Sequence, residues 1–220
     1  YKRIIVDKAM STEEISALLQ PNSKVNQFEF NPGTAKVICF VGLSGGVGTT
    51  SLAINFAFEK ARESRVHLSD LAGRNPDVAR ALGLHRIEER TEKVANNLLA
   101  TQGLPTVGEC DYFVFDLGSN LFHPLIDRAD EIYLITKASF NTIARLQELD
   151  LIPTTLIINF VERTKIQQKW RAQISELYPR QKIVNVPWDL KAFESAADSK
   201  SALIESSPNS LARKTIATLG

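Results

Sequence analysis

From residue 36 onward, short apolar runs alternate with longer stretches of mixed polarity. The runs are Val37–Val41, Val66–Asp70, Tyr112–Asp116, Ile132–Thr136, Thr155–Asn159 and Ile183–Val186. Each is four or five residues long and nearly continuous in apolar side chains. That is the pattern of strands buried on both faces. The stretches between them carry helical periodicity: Trp170, Ile174 and Leu177 fall at i, i+4 and i+7, on one helix face. Strand and helix in alternation predict an α/β fold, three layers α/β/α around a mostly parallel sheet. Ligands of such sheets sit at the carboxyl ends of the strands.

Residues before 36 read differently. Arg3–Val6 has the pattern of a short strand, and Ser11-Thr12-Glu13-Glu14 is a capping box opening a helix at Ile15, Leu18 and Leu19. Pro21, Asn22, Ser23, Asn31, Pro32 and Gly33 give residues 21–35 the composition of a linker. The organisation expected is a strand-helix appendage over 1–20, a linker over 21–35 and one main α/β domain over 36–220. The first residues are Tyr-Lys-Arg and not Met, so a fragment of a longer protein is expected.

A length of 220 residues suits one domain with a short appendage, and 44% apolar residues allow a sizeable core. The net charge of +1 provides no global field for nucleic acid or anionic lipid, so no direct nucleic-acid partner is expected. No apolar run approaches the roughly 20 residues that cross a bilayer, and the tail Leu211–Gly220 has just two basic residues, so no intrinsic membrane anchor is expected. Cys39 and Cys110 lack metal or disulfide spacing, which fits a reducing cytoplasm. The histidines His67, His85 and His123 share no metal spacing and read as structural or solvated.

The stretch richest in chemistry is Gly42-Leu-Ser-Gly-Gly-Val-Gly-Thr-Thr-Ser51. A buried strand enters a glycine-rich turn and a helix follows at once. Gly45, Gly46 and Gly48 let the backbone curl with its N–H groups inward. The helix starting near Thr49 adds free N–H groups and its positive dipole end. Val47 belongs to the same cradle. Thr50 takes the Ser/Thr place of a Walker A loop, where a hydroxyl binds Mg²⁺, and Ser51 is placed for another phosphate oxygen.

Gly-Gly-Val-Gly-Thr-Thr-Ser resembles the deviant Walker A loop of the ParA/MinD superfamily, usually Lys-Gly-Gly-x-Gly-Lys-Thr. The resemblance puts the two family lysines at Ser44 and Thr49, and both are absent. It implies ATP or ADP with Mg²⁺ as cofactors and a homodimer. Without the lysines it implies at most a weak ATPase. Tyr112-Phe-Val-Phe-Asp116 has the Walker B form, which implies Asp116 as a Mg²⁺ ligand through water. Asp70 ends a strand that in similar proteins closes with Asp-x-Asp. Either Asp70 is the first acid and Ala72 replaces the second, or Asp70 is the catalytic one. Asp77-Val-Ala-Arg-Ala-Leu-Gly-Leu84 favours the first register, and a plain strand-end cap is the structural alternative. By the same resemblance Asn159 reads adenine and the backbone at Pro187 lines the base.

The segment Val186-Pro-Trp-Asp-Leu-Lys-Ala192, the later Pro208-Asn-Ser210 and Ala129-Asp-Glu-Ile132 resemble the TadZ/CpaE pilus-assembly proteins. The N-terminal Ile5–Glu14 looks like the end of a receiver domain, which those proteins carry. The implied function is a positioning or scaffold protein of a Tad-type pilus or secretion apparatus, with that machinery as partner. It would be cytoplasmic and open to recruitment at the inner membrane or a cell pole. The alternative is an ATPase of chromosome or plasmid partition or of division-site placement. Only 31 residues separate Leu84 from Asp116, fewer than such relatives usually have.

Overall fold

A computed structural model describes residues 30–73, 77–84, 91–105 and 109–219. The chain divides into two units, Tyr1–Asn31 and Pro32–Gly220, and every described strand and helix belongs to the second. The expected strand at 3–6, the helix start at 11–14, most of the linker and His85 lie outside the described residues.

All six expected strands are present. They are β1 (Lys36–Gly42), β2 (Val66–Asp70), β5 (Tyr112–Asp116), β6 (Glu131–Lys137), β7 (Thr155–Val161) and β8 (Lys182–Pro187). Two more, β3 (Thr91–Ala95) and β4 (Leu98–Gln102), were not expected. The described strands form one sheet in the order β3-β4-β2-β5-β1-β6-β7-β8. Every pairing is parallel except that of β3 with β4.

The helices are α1 (Thr49–Lys60), α2 (Asp77–Ala81), α3 (Phe140–Gln147), α4 (Lys165–Leu177), α5 (Leu190–Ser199), α6 (Leu203–Ser206) and α7 (Leu211–Ile216). The α/β/α architecture expected from the alternation is therefore the one observed.

The unexpected hairpin lies between Leu84 and Asp116, where the chain is short. β3 is polar and half-exposed, so it lacks the apolar run that marks a buried strand. Asn97 fastens the hairpin: its carbonyl accepts the Val66 N–H at 2.8 Å and its amide donates to Ala61 O at 3.0 Å.

The core explains why α1 stands where it does. Phe40 of β1, Phe56 of α1 and Tyr133 of β6 form a triangle with centroids 4.9–5.5 Å apart. Rings buried this fully contribute about 1.5–3 kcal/mol each, and these three join α1 to two central strands. The outer side of α1 is held by the C-terminal helices. Asn55 Oδ1 accepts the Leu203 N–H at 2.7 Å, and the Arg213 guanidinium grips Glu59 through two nitrogens, Nη2 at 2.8 Å. Eight of the twelve α1 residues are buried. A helix gripped on both sides keeps its N-terminus, and the glycine turn before it, in a fixed place.

Candidate functional site

The turn between β1 and α1 lies at the carboxyl edge of the sheet, beside the central strands. The Gly42 N–H donates to Gly118 O at 2.7 Å and the Leu43 N–H to Ile135 O at 2.8 Å, so the loop leaves the sheet held from both sides. Two of its glycines have left-handed backbones, Gly46 with φ 70° and Gly48 with φ 90°. A Cβ on Gly48 would stand 2.5 Å from Asn159 Nδ2, so only glycine fits there. A Cβ on Gly46 would point into open space. Gly45 and Gly46 are exposed, while Val47 and Thr49 are buried. The Thr49 hydroxyl turns back toward the strand, close against Gly42.

Helix α1 has Gly48 as its N-cap, no capping side chain and no acid in its first turn. Its first N–H groups are therefore free for an outside acceptor. A loop with inward amides and an uncapped helix end together suit a phosphate.

The acids stand next to it. Asp70 and Asp116 are register partners on β2 and β5. Asp116 is fully buried; Oδ1 accepts the Gly118 N–H at 3.0 Å, and Oδ2 has no hydrogen-bond partner. Burial pushes its pKa up to about 6, opposed by the Thr50 side chain and the Gly118 N–H and reinforced by the Asp70 and Asp77 charges. A buried carboxylate beside a threonine side chain, with one oxygen lacking a hydrogen-bond partner, is suited to a divalent cation. The residues present thus fit Mg²⁺ beside Thr50 and Asp116.

Asp70 is placed differently. Its Oδ1 accepts the Ala72 N–H at 3.1 Å and its Oδ2 the Val78 N–H at 3.0 Å. It ties the start of α2 to the end of β2, while burial raises its pKa. Ala72 packs against Gly118, where a Cβ on the glycine would come within 3.0 Å. Position 72 therefore borders the Asp116 turn.

Asn159 is buried at the end of β7. Its Nδ2 donates to Val47 O at 2.8 Å and its Oδ1 accepts the Phe160 N–H at 2.9 Å. The amide thus braces the phosphate loop from below. Pro187 closes β8 in register with Val161, and Asp189 caps α5 by accepting the Ala192 N–H at 3.3 Å.

No family model and no curated protein matches the chain. Solved structures do. MinD of Pyrococcus horikoshii OT3, solved with Mg-ADP, superposes with a TM-score of 0.68 at 13% identity, over 83% of this chain and 93% of that one. A ParA family ATPase of Chlorobium tepidum TLS gives 0.64 at 20%, over 84% and 97%. A chain of the MinC:MinD cell division protein complex of Aquifex aeolicus gives 0.66 at 16%, over 84% and 93%. The fold is that of the ParA and MinD ATPases.

On this ParA/MinD fold two clefts flank the phosphate loop. One, of about 500 Å³, runs between Ser44, Gly45 and Val47 on the loop and Lys137, Ser139 and Arg145. The other, of about 350 Å³, is lined by Lys137, Ser139, Phe160, Glu162, Gln167 and Trp188. Lys137 borders both. Sequence reasoning missed Lys137 and Phe160. The usable signal was position: Lys137 follows directly on an apolar strand, at the sheet edge where ligands bind.

Proposed function

We propose that the domain binds ATP or ADP with Mg²⁺ and acts as a nucleotide-responsive positioning or scaffold protein with weak or absent hydrolysis. The observation that carries this reading is buried Asp116, whose Oδ2 lacks a hydrogen-bond partner and whose carboxylate lies by the side chain of Thr50, in the first turn of an uncapped helix. The N–H groups of residues 45–51 would hold the phosphates. Thr50, and Asp116 through water, would hold Mg²⁺, which supplies charge neutralisation to the phosphates when bound. Asp70 would position the turn beside them, and its use as a catalytic acid rests on the resemblance alone. The adenine would lie toward Asn159 and Pro187, beside the cleft that Phe160 and Trp188 line.

As setting we propose a Tad-type pilus or secretion apparatus, with a homodimer of this chain as the partner-binding form. The support is the TadZ/CpaE-like segments at 186–192 and 208–210. A second reading, partition or division-site placement, is favoured by the ParA and MinD structures that share the fold.

Calorimetric titration of MgATP and MgADP tests the nucleotide reading. Wild type should bind both and Thr50→Ala should lose the Mg²⁺ dependence. Wild type that takes up no heat at millimolar nucleotide would leave a scaffold without nucleotide as the better account.

A further inference from the structure

The cradle carries no cationic side chain of its own. Positions 44 and 49 are Ser and Thr, and the Thr49 hydroxyl faces the strand. Free N–H groups and one divalent ion would have to meet three or four phosphate charges. The surroundings of the loop do hold positive charge, on a different element.

Lys137 is the last residue of β6. Its backbone is fixed: Thr142 Oγ1 donates to Lys137 O at 2.7 Å. Its register partner on β7 is Asn159, the residue that grips the loop at Val47. The next residue, Phe160, has φ 56°, an unusual backbone for an aromatic residue. Asn159 Oδ1 holds it there by accepting the Phe160 N–H. In that pose the ring edge approaches the loop, 3.3 Å from where a Gly48 Cβ would stand. The Lys137 ammonium lies over the same ring, 4.7 Å from its centroid. One aromatic ring thus touches the phosphate loop and carries the ammonium.

Among the described residues no carboxylate forms an ion pair with Lys137. Glu162, which lines the second cleft with it, is engaged by Gln167 at 3.4 Å. Arg145 lines the first cleft with Lys137, opposite Ser44 and Gly45. A cation held on a ring face keeps its charge exposed on the other side.

We propose that Lys137 supplies the phosphate-binding charge that the loop itself lacks, with its ammonium meeting the polyphosphate of the bound nucleotide and Arg145 adding long-range attraction from the same cleft. This rests on the nucleotide reading of the site. Lys137 is then a binding residue carried by β6, and Phe160 is the positioning residue that aims it. The locally strained backbone at Phe160 has a function in this account: it brings the ring beneath the ammonium and beside Gly48.

The test is a set of titrations with MgATP and with inorganic triphosphate, which has the charge but no base. Losing one charge-assisted contact weakens binding about ten- to a hundredfold. Lys137→Gln should show that loss for both probes, Lys137→Arg should retain most of the affinity, and Lys214→Gln on α7 should match wild type. Phe160→Leu should weaken both probes less than Lys137→Gln does. Thermal melts confirm folding; Lys137 is exposed. If wild type binds and Lys137→Gln binds equally well, the inference falls and the nucleotide reading stands. If Lys137→Gln weakens ATP but not triphosphate, Lys137 only shapes the base cleft and the inference falls as well. If wild type binds neither probe, the nucleotide reading fails and the inference goes with it.

Discussion

Asn159 Nδ2 donates to the carbonyl of Val47 across 112 residues of sequence, and this 2.8 Å bond ties the phosphate loop to the end of β7. Both groups are buried, so breaking the bond leaves a carbonyl without a partner. That costs about 1–3 kcal/mol. Asn159→Ala should therefore lower the urea midpoint and weaken nucleotide binding together. An amide that served only to read adenine would instead change the preference for ATP over GTP at constant stability. Unfolding curves and a two-nucleotide titration on the same variant separate the outcomes.

The glycines of the loop should fail in different ways. Gly48→Ala places a Cβ on Asn159 and forces a left-handed alanine, so it should reduce both stability and binding. A left-handed non-glycine residue alone costs about 1–2 kcal/mol. Gly46→Val meets no neighbour but carries φ 70° and fills the mouth of the loop, so binding should be abolished with a smaller loss of stability. Gly45→Ala has open space and an ordinary backbone; its melt should match wild type. A melt of Gly48→Ala indistinguishable from wild type would refute the tight contact with Asn159.

His67 gives the fold a pH dependence. It is buried on β2, with Nε2 2.7 Å from Thr101 Oγ1 and its ring 5.8 Å from that of Phe113. Burial lowers its pKa from 6.5 to about 4. The folded-state pKa is thus below the unfolded one, so the unfolded chain takes up the proton first. The stability this neutral ring contributes is whole above pH 6.5. It is lost as pH falls toward 4, and the loss amounts to about 3 kcal/mol at most. His67→Gln keeps a bond to Thr101 without titrating in this range. The difference in urea midpoint between wild type and variant should shrink or reverse from pH 7 to pH 4.5. A constant difference would show that His67 is not held neutral.

The six parallel strands were legible because each is an apolar run that needs no partner to be recognised. The glycine turn between β1 and α1 was legible because its strand, glycines and helix start lie within one short segment. What could not be read depends on distant contacts. β3 shows no apolar face of its own and becomes a strand by pairing with β4. Asn159 has the composition of an adenine reader, yet its amide is spent on Val47 O and the Phe160 N–H, and no local pattern announces that. Lys137 gains its place from the left-handed Phe160, a conformation no local motif encodes for a phenylalanine. Asp70 was legible as an acid at a strand end, but the backbone N–H groups it accepts come from Ala72, just past the strand, and from Val78, in α2.

Hydrolysis is the strictest test of the site. Thr49 stands where the resembling loops have a lysine, and its hydroxyl is buried against Gly42. It offers no charge to a transferring phosphoryl group. Losing a single well-placed donor costs about 10²–10³ in rate. Ala72 borders the Asp116 turn at Gly118 and offers no carboxylate to orient a water. Asp70, the nearest buried acid, has both oxygens on backbone N–H groups. Wild type should therefore show negligible ATPase activity in a phosphate-release assay even at saturating MgATP. Thr49→Lys alone should tighten binding with little turnover. Adding Ala72→Asp should raise turnover by more than the two single changes multiplied together, because such groups act as a unit. The opposite order of effects, with Ala72→Asp alone restoring turnover, would mean that charge from outside the loop already suffices for the transition state. Wild-type turnover near that of lysine-bearing ATPases would refute the scaffold reading outright.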